Sequence, residues 1–157
     1  MKSRIVPGPE LSAAELQAVL RLRAEVFVVE QDVPYLDVDG RDLEPGTVHY
    51  WVEESGVPLA YLRARQEQDE VRIGRVCTAK EARGSGLGAR LMTAAVADLG
   101  DAASVLDSQV YAKGFYERFG YVAEGEEYLD DGIPHVAMRR PAGPVGTGLL
   151  TSRERTG

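Results

Sequence analysis

The sequence predicts an α/β fold in which a mixed, mostly antiparallel sheet of about six to seven strands is flanked by helices. Three observations support this prediction. An amphipathic helical stretch near the N-terminus is the first. The second is a set of three segments, rich in β-branched and aromatic residues, that are joined by short turns. The third is a glycine-rich segment that opens another helix and is followed by a strand, a short helix and two more strands.

The first half of the chain is predicted to form a strand, a helix and a meander of three strands. SRIV predicts the first strand. The helix covers residues 11–30, where Ser12 and Glu15 have the spacing of a capping box. A long acidic loop, QDVPYLDVDGRDLEPGT, follows this helix. The three meander strands are VHYWVEES, VPLAYLRARQ and VRIGRVCTA. The turns that join them are SGVP and QDE.

The second half is predicted to alternate helices and strands before it ends in a tail. The second helix begins within residues 80–92, KEARGSGLGARLM, and stops near Gly100. The strand ASVLDSQ and the helix YAKGFYERFG, with Gly120 as its C-cap, come next. The last two strands, YVAEGEEYL and PHVAMRR, are joined at the turn DDGI. We expect residues 1–140 to form the domain and residues 141–157, rich in Gly, Pro, Ser and Thr, to form a flexible tail.

Composition argues against several classes of protein. The chain has 157 residues, enough for one domain with one core. Its formal net charge of −7 argues against a nucleic acid or an anionic membrane as the main partner. The one cysteine, Cys77, allows no internal disulfide, which fits a reducing cytoplasm. The N-terminal segment lacks the apolar stretch of a signal peptide, and no run of about 20 apolar residues could span a bilayer, so we expect a cytoplasmic protein.

The glycine-rich segment carries the strongest chemical signal. Gly84, Gly86 and Gly88 lie where a helix begins, so successive main-chain N–H groups and the helix dipole can bind an anion such as a phosphate. Two well-known phosphate-binding loops do not match this segment. A Walker loop needs Lys and then Ser or Thr after its last glycine, and a dinucleotide fingerprint needs G-x-G-x-x-G in a parallel βαβ unit. A glycine-rich turn without a ligand is the alternative.

In this context R-G-S-G-L-G resembles the pyrophosphate loop of the GCN5-related N-acetyltransferases (GNAT), whose pattern is Q/R-x-x-G-x-G/A. FYERFGY, residues 115–121, resembles the F-Y-x-x-x-G-F segment of the same family, and the predicted strand order agrees. The segments that look like the ElaA-like subgroup are EVFVVEQDVPY, DVDGRD, HYW, IGRV and EYLDDGIPHVAM. The resemblance covers roughly residues 4–140 and implies the GNAT fold, acetyl-CoA as cofactor and N-acetyl transfer.

The resemblance also implies which residues hold the cofactor. Main-chain N–H groups of residues 83–89 would bind the CoA pyrophosphate, and the main chain at Val76 and Thr78 would pair with the pantetheine arm. Gln109 occupies a position where the family often has Asn, which is a departure from the pattern. The side chain of Cys77 is expected to be a small core residue. The implied cofactor set is Val76, Cys77, Thr78, Arg83, Gly84, Ser85, Gly86, Leu87, Gly88, Ala89, Gln109 and Tyr116.

Acetyl transfer needs an amine that loses its proton, N–H donors for the tetrahedral oxyanion, and a proton for the departing thiolate. Tyr116 matches the family tyrosine that would give this proton, and a phenol with a pKa near 10 is protonated at neutral pH. Core packing is the alternative for Tyr116. Glu30 is the first candidate for the base. Asp37, Asp39 and His49 are others, and a water relay without a single base is an equal alternative.

The acidic loop is interpreted as part of an acceptor site. Arg41 is its only cation nearby in the sequence, so uncompensated carboxylates would suit a cationic amine, although a solvated loop is the alternative. Arg63 and Arg75 lie on adjacent predicted strands and, if they point inward, need the loop carboxylates as partners. The expected acceptor residues are Phe27, Glu30, Gln31, Asp37, Asp39, His49, Arg63 and Arg75.

The expected activity is transfer of an acetyl group from acetyl-CoA to a primary amine of a small molecule, or of a peptide, by direct transfer in a ternary complex. A catalytically inactive acyl-CoA-binding sensor and a nucleotide-binding protein are the alternatives. Whether the protein forms a homodimer is left undecided, although the last strands leave a sheet edge that could pair with a second copy. No metal is expected, since neither H-x-x-H nor C-x-x-C spacing occurs.

Overall fold

The computed structural model describes residues 1–143, and its strands follow the predicted order. A seven-stranded sheet is hydrogen-bonded in the order β1-β2-β3-β4-β5-β7-β6. Its pairs β1–β2, β2–β3, β5–β7 and β6–β7 are antiparallel, whereas β4–β5 is parallel, so the mixed and mostly antiparallel sheet is confirmed. The strands are β1 Lys2–Pro7, β2 Thr47–Glu54, β3 Val57–Glu67, β4 Glu70–Thr78, β5 Ala103–Gln109, β6 Val122–Asp130 and β7 Ile133–Arg140.

The first helix begins where the sequence predicts but changes its winding before it ends. Helix α1 spans Ala13–Ala24, and its capping box is present, with Glu15 N–H donating to Ser12 Oγ at 3.0 Å. The chain then continues as a π-helical segment, Glu25–Glu30, rather than as the single α-helix predicted through Glu30. The apolar spacing fixes which face is buried but does not distinguish the two windings.

Of the later helices, the second agrees with the prediction, whereas the third is shorter and begins with a 3-10 turn. Helix α2 spans Leu87–Leu99, with Leu87, Leu91, Met92 and Ala95 buried. Helix α3 covers only Lys113–Glu117, because the predicted first turn is a 3-10 turn, Val110–Ala112. Gly114 lies inside this short helix, where glycine is a poor helix former. Within residues 1–143 no helix is long and apolar enough to cross a membrane.

The described chain forms two compact units. The first comprises Met1–Gln66 and Ile73–Ala95, and the second comprises Glu67–Arg72 and the residues from Val96 onward. Buried residues of the first unit include Val19, Leu22, Val26, Trp51, Tyr61, Cys77 and Ala79. Buried residues of the second include Val105, Leu106, Tyr116, Tyr121, Val136 and Met138. The predicted flexible tail comprises residues 141–157, and its residues 144–157 lie outside the described residues.

Candidate active site

The glycine loop joins β4 to α2 in the first unit and is open on its outer side. Residues 83–86 are exposed, and Gly84 and Gly86 have φ values of +81° and +82°. Apart from chain neighbours, no heavy atom of the described residues lies within 4 Å of the place that a Cβ would take at either glycine. Both glycines are therefore required by the left-handed backbone, and the space above them is accessible to a ligand.

The start of α2 supplies unpaired main-chain donors beside this loop. The first intrahelical hydrogen bond runs from Arg90 N–H to the Gly86 carbonyl at 3.0 Å. The N–H groups at the beginning of a helix have no intrahelical partner, and they carry the positive end of the helix dipole. The exposed loop and the helix start together form an arrangement that suits an anion.

An ion pair fixes the side chain of Arg83 at the edge of the loop. Its Nη1 and Nη2 donate to the two carboxylate oxygens of Glu30 at 2.5 and 2.6 Å, and its Nε donates to the Thr78 carbonyl at 3.1 Å. Hydrogen bonding from Arg83 lowers the pKa of Glu30. Glu30 is therefore a weaker base while its ion pair with Arg83 is intact. The partners are 53 residues apart, so sequence spacing gives no signal for this contact.

The strand segment before the loop contains the one cysteine of the chain. Cys77 is 7% exposed and belongs to the core of the first unit, which confirms that its side chain is a core residue. Burial raises the pKa of its thiol to about 12, so the thiolate needed for nucleophilic attack is scarce at neutral pH. Val76 and Thr78 on either side are half-buried.

A buried arginine of α1 organises the acidic loop. Arg23 is 0% exposed; its Nε donates to Asp37 at 2.8 Å and its Nη1 donates to Asp42 at 2.7 Å. Arg23 and Asp42 are not among the residues predicted from the sequence. The signal was available, because position 23 lies four residues after Val19 and three before Val26, on the apolar face of the helix.

Two strand arginines complete this group. Arg63 donates to Asp39 at 2.7 Å and to Asp42 at 2.9 Å, while Arg75 donates to Asp37 at 2.8 Å and to Asp39 at 3.3 Å. The prediction that Arg63 and Arg75 pair with loop carboxylates is confirmed. We call the six residues the arginine–aspartate cluster: Arg23, Arg63, Arg75, Asp37, Asp39 and Asp42.

The charges of Asp37, Asp39 and Asp42 are therefore compensated within the protein. Burial opposes ionisation of Asp39 and Asp42, but hydrogen bonds from Arg63 and Arg23 outweigh it, and the pKa of each carboxyl is lowered. The prediction of uncompensated carboxylates was wrong for Asp37, Asp39 and Asp42, which pair with arginines from other elements. Arg41, the only cation nearby in the sequence, pairs with Glu44 at 3.7 Å.

His49 is a core residue of the first unit. It is 0% exposed; its Nδ1 lies 2.6 Å from the Tyr61 hydroxyl and its Nε2 lies 2.8 Å from the Asp42 carbonyl. A carbonyl only accepts, so Nε2 carries the proton and Nδ1 accepts from Tyr61. Burial lowers the pKa of His49. Both ring nitrogens are engaged, and the predicted role of His49 as a base that meets a substrate is therefore not supported.

The remaining acceptor candidates lie at the end of the π-helical segment. Phe27 is half-buried and packs against the core of the first unit, and Gln31 is half-buried at the segment's end. Three apolar side chains of residues 29–38 are exposed: Val29 at 74%, Leu36 at 81% and Val38 at 53%. The accessible surface of this stretch is thus less anionic than the sequence suggests.

The second unit holds Gln109 and Tyr116. Gln109 is the last residue of β5, and its register partner on β7 is His135. The Tyr116 ring is 9% exposed and makes edge-to-face contacts with Phe115 and Tyr121, with ring centroids 5.0 and 6.4 Å apart. This packing fixes the ring, and it accommodates either a proton donor or a core residue.

Comparisons with known proteins identify the family. A family model described as an acetyltransferase (GNAT) domain matches residues 14–141. UPF0039 protein Rv2851c of Mycobacterium tuberculosis is 46% identical over 143 residues, which cover 88% of this chain and 92% of that protein.

Two solved structures agree with this assignment. An acyl-CoA N-acyltransferase from Pseudomonas aeruginosa is similar with a TM-score of 0.85 and 41% identity, over 89% of this chain and 99% of that one. Escherichia coli ElaA is similar with a TM-score of 0.85 and 34% identity, over the same shares of 89% and 99%. With this fold, this glycine loop and these relatives, the chain belongs to the GNAT acetyltransferase family and is similar to its ElaA members.

Proposed function

We propose that the chain is an N-acetyltransferase that moves an acetyl group from acetyl-CoA to a primary amine by direct transfer in a ternary complex. The observation that carries this proposal is the exposed loop at residues 83–86, whose two left-handed glycines leave open space beside the first turn of α2. Family membership supplies the chemistry, because GNAT proteins bind acetyl-CoA.

The residues of the loop fit the diphosphate of CoA. Main-chain N–H groups of residues 84–89 would donate to its oxygens, whereas the Arg83 N–H already donates to the Lys80 carbonyl at 3.4 Å. A Cβ at Gly84 or Gly86 would occupy the space that the diphosphate needs. The main chain at Val76 and Thr78 would pair with the pantetheine arm as an added peptide pairs with a sheet edge. Gln109 would contact the cofactor through its side-chain amide.

The reaction forms a C–N bond and breaks a C–S bond, and in balance one proton leaves the amine and one joins the CoA sulfur. The amine nitrogen attacks the thioester carbonyl, the C–S bond breaks, the amine proton leaves to a base, and the CoA sulfur takes a proton. We propose that the Tyr116 hydroxyl gives this last proton. A route through an acetylated cysteine is disfavoured, because Cys77 is buried and its pKa is raised to about 12.

We propose that the amine proton leaves through a water relay, since the carboxylate of Glu30 is engaged by Arg83. A base works best when its pKa lies near the working pH, and the pKa of Glu30 is lowered instead. For Glu30 to act as the base, its carboxylate would first have to separate from Arg83.

Replacing Glu30 distinguishes these two routes. With Glu30→Gln we expect kcat to fall by no more than about tenfold, because a relay does not need this carboxylate. The measurement is steady-state thiol release at saturating acetyl-CoA, alongside the CoA affinity of the same variant. A fall of about 100-fold or more with unchanged CoA affinity would restore Glu30 as the general base.

The compensated loop changes the expected acceptor. Asp37 and Asp39 are engaged by arginines, while Val29, Leu36 and Val38 are exposed beside them in the sequence. We therefore propose a primary amine on a neutral or apolar body, small or peptidic, rather than a polyamine.

The direct test of the function is an acceptor screen with acetyl-CoA, read by free thiol release, over amines, amino acids, polyamines and peptides. We expect at least one primary amine to be acetylated, and apolar amines to react faster than polyamines. CoA binding without turnover on any acceptor would favour the acyl-CoA sensor. A thermal shift with ATP or NAD but none with CoA would favour the nucleotide-binding alternative.

Gly86→Val tests the cofactor loop itself. We expect the affinity for CoA to fall by about tenfold or more, which is about 1.4 kcal/mol, because the side chain would fill the space above the loop. Calorimetric titration measures this affinity.

Gly56→Val is the matched control for that variant. Gly56 has a φ of +78° and an equally open Cβ position, but it lies in the turn between β2 and β3. Both variants should lose similar stability from backbone strain, and only Gly86→Val should lose CoA affinity. Equal CoA affinity in Gly86→Val and the parent protein would contradict the proposed binding mode.

A further inference from the structure

The two histidines of the chain differ in whether a ring nitrogen is left for chemistry. His49 is fully buried, and both of its ring nitrogens are engaged. His135 lies on β7 and is half-buried, and its Nδ1 lies 2.7 Å from the Ile133 carbonyl. Its Nε2 has no hydrogen-bond partner among residues 1–143. His135 is therefore the histidine that can accept a proton from a bound molecule or from water.

The contact with Ile133 determines which nitrogen of His135 is basic. A carbonyl only accepts hydrogen bonds, so Nδ1 carries the proton of the neutral ring and Nε2 keeps its lone pair. The hydrogen bond that one imidazole nitrogen makes, often Nδ1–H to a main-chain carbonyl, sets the state of the other nitrogen. The ring is thus prepared to accept a proton at Nε2.

The ring of Tyr128 on β6 holds the imidazole in place. The two rings are stacked, with centroids 5.8 Å apart and an interplanar angle of 27°. Tyr128 is itself fixed, because its hydroxyl donates to Asp107, which accepts from Arg72 Nη1 at 3.0 Å. Partial burial and the hydrogen bond to Asp107 raise the pKa of Tyr128 to about 12. The phenol therefore stays protonated at neutral pH and keeps this hydrogen bond.

The register of the sheet places His135 beside Gln109. The two residues are partners in the antiparallel pair of β5 and β7, and the side chains of such partners project from the same face of the sheet. Gln109 is the residue at the end of β5 that we propose to contact the cofactor. His135 thus lies next to a proposed cofactor residue within the second unit.

Tyr116, the proposed donor of the thiolate proton, lies on the other face of β5. Its ring contacts Tyr121, whose hydroxyl lies 2.5 Å from the Oγ of Ser104. Successive residues of a strand point to opposite faces, so Ser104 and Gln109 project from opposite faces of β5. An acid and a base that act on different substituents of one tetrahedral carbon must lie apart, and Tyr116 and His135 meet this requirement.

We propose that His135 Nε2 accepts the amine proton at the end of the water relay. As the C–N bond forms, the nitrogen passes a proton to the relay water, and that water passes one of its own protons to Nε2. The imidazolium then releases the proton to solvent, and Tyr116 regains from solvent the proton that it gave to sulfur. The inference rests on the proposed function, and it names the group in which the relay ends.

His135→Gln tests this assignment, because a glutamine amide forms hydrogen bonds but is not basic. We expect kcat to fall by about 100-fold or more, the range for loss of a general base, while the affinity for CoA stays within about threefold. Thiol release with an acceptor found in the screen gives kcat, and calorimetric titration gives the affinity. Leu129→Ala is the control on the neighbouring strand: Leu129 is 71% exposed, and both quantities should stay unchanged.

The pH dependence of kcat/KM distinguishes a base from a structural residue. The imidazole must be neutral to accept a proton, so activity should fall as the pH decreases and the ring becomes protonated. We expect this acidic limb in the parent protein and in Leu129→Ala, and its loss in His135→Gln. The same amine is used throughout, so its own ionisation is common to all three proteins.

Other charged and titratable groups near His135 are also common to the three proteins, so they do not account for a limb that disappears in one of them. They come from the elements that pack against β7 and from the strand beside β5: Asp107 of β5, Tyr128 and Asp130 of β6, Tyr111 of the 3-10 turn, and Arg72 of β4.

Thermal unfolding shows whether each variant is folded. If His135→Gln does not fold, His135→Asn replaces it, because the asparagine amide can still donate to the Ile133 carbonyl and is not basic either. The expected fall in kcat and the loss of the acidic limb are the same for both variants.

The outcomes separate this inference from the proposed function. A fall in kcat of less than about tenfold, or an acidic limb that persists in the variant, would overturn the inference and leave the proposed function standing. Equal losses of kcat and CoA affinity would also overturn it, because they indicate a structural role. A parent protein that binds CoA but acetylates no amine in the screen would overturn the proposed function, and the inference with it.

Discussion

Tyr116→Phe is expected to lower kcat for acetyl transfer by about 100- to 10,000-fold, the range for loss of a general acid. The affinity for CoA should stay within about twofold, because only the hydroxyl is removed and the ring contacts with Phe115 and Tyr121 remain. The measurement is thiol release with an acceptor found in the screen, together with calorimetric titration of CoA.

Tyr111→Phe is the control for this prediction. Tyr111 is 87% exposed and precedes α3 in the same unit, so removal of its hydroxyl should leave kcat unchanged. An unchanged kcat in Tyr116→Phe would assign Tyr116 to core packing, and the proton for the thiolate would then have to come from water.

Arg23→Ala is expected to lower the free energy of unfolding by about 3–5 kcal/mol, the cost of breaking a buried ion pair by removing one partner. Arg23 is 0% exposed, and its loss leaves three buried or half-buried carboxylates, Asp37, Asp39 and Asp42, with two arginines. Urea denaturation with linear extrapolation measures the change.

The matched substitution is Arg41→Ala. The Arg41 side chain is 50% exposed and pairs with Glu44 at 3.7 Å, and a pair of this kind contributes about 0–1 kcal/mol. If Arg23→Ala were no more destabilising than Arg41→Ala, the arginine–aspartate cluster would not be the support of the acidic loop that we describe.

The order of the elements was predictable because its signals are local. Ser12 and Glu15 mark the start of α1 three residues apart, and the turns at Gly56 and Gly132 need only a glycine at a left-handed position. The glycine loop is also a local signal. Closely spaced glycines such as Gly84 and Gly86 indicate a left-handed backbone whatever the fold around them.

The electrostatics of the acidic loop were only partly predictable. Arg63 and Arg75 were expected as partners because they lie on adjacent predicted strands, but Arg23, which is 14 residues from Asp37 and 19 from Asp42, was missed. The pair between Glu30 and Arg83 spans 53 residues. Which charges meet depends on how strands and loops are arranged, and a net charge of one segment does not contain that information.

The most direct test of the central claim is a crystal structure of the protein with CoA bound. We expect the diphosphate oxygens to accept hydrogen bonds of about 2.7–3.2 Å from main-chain N–H groups of residues 84–89. A diphosphate bound away from these amides, with the glycine loop unchanged and empty, would contradict the account.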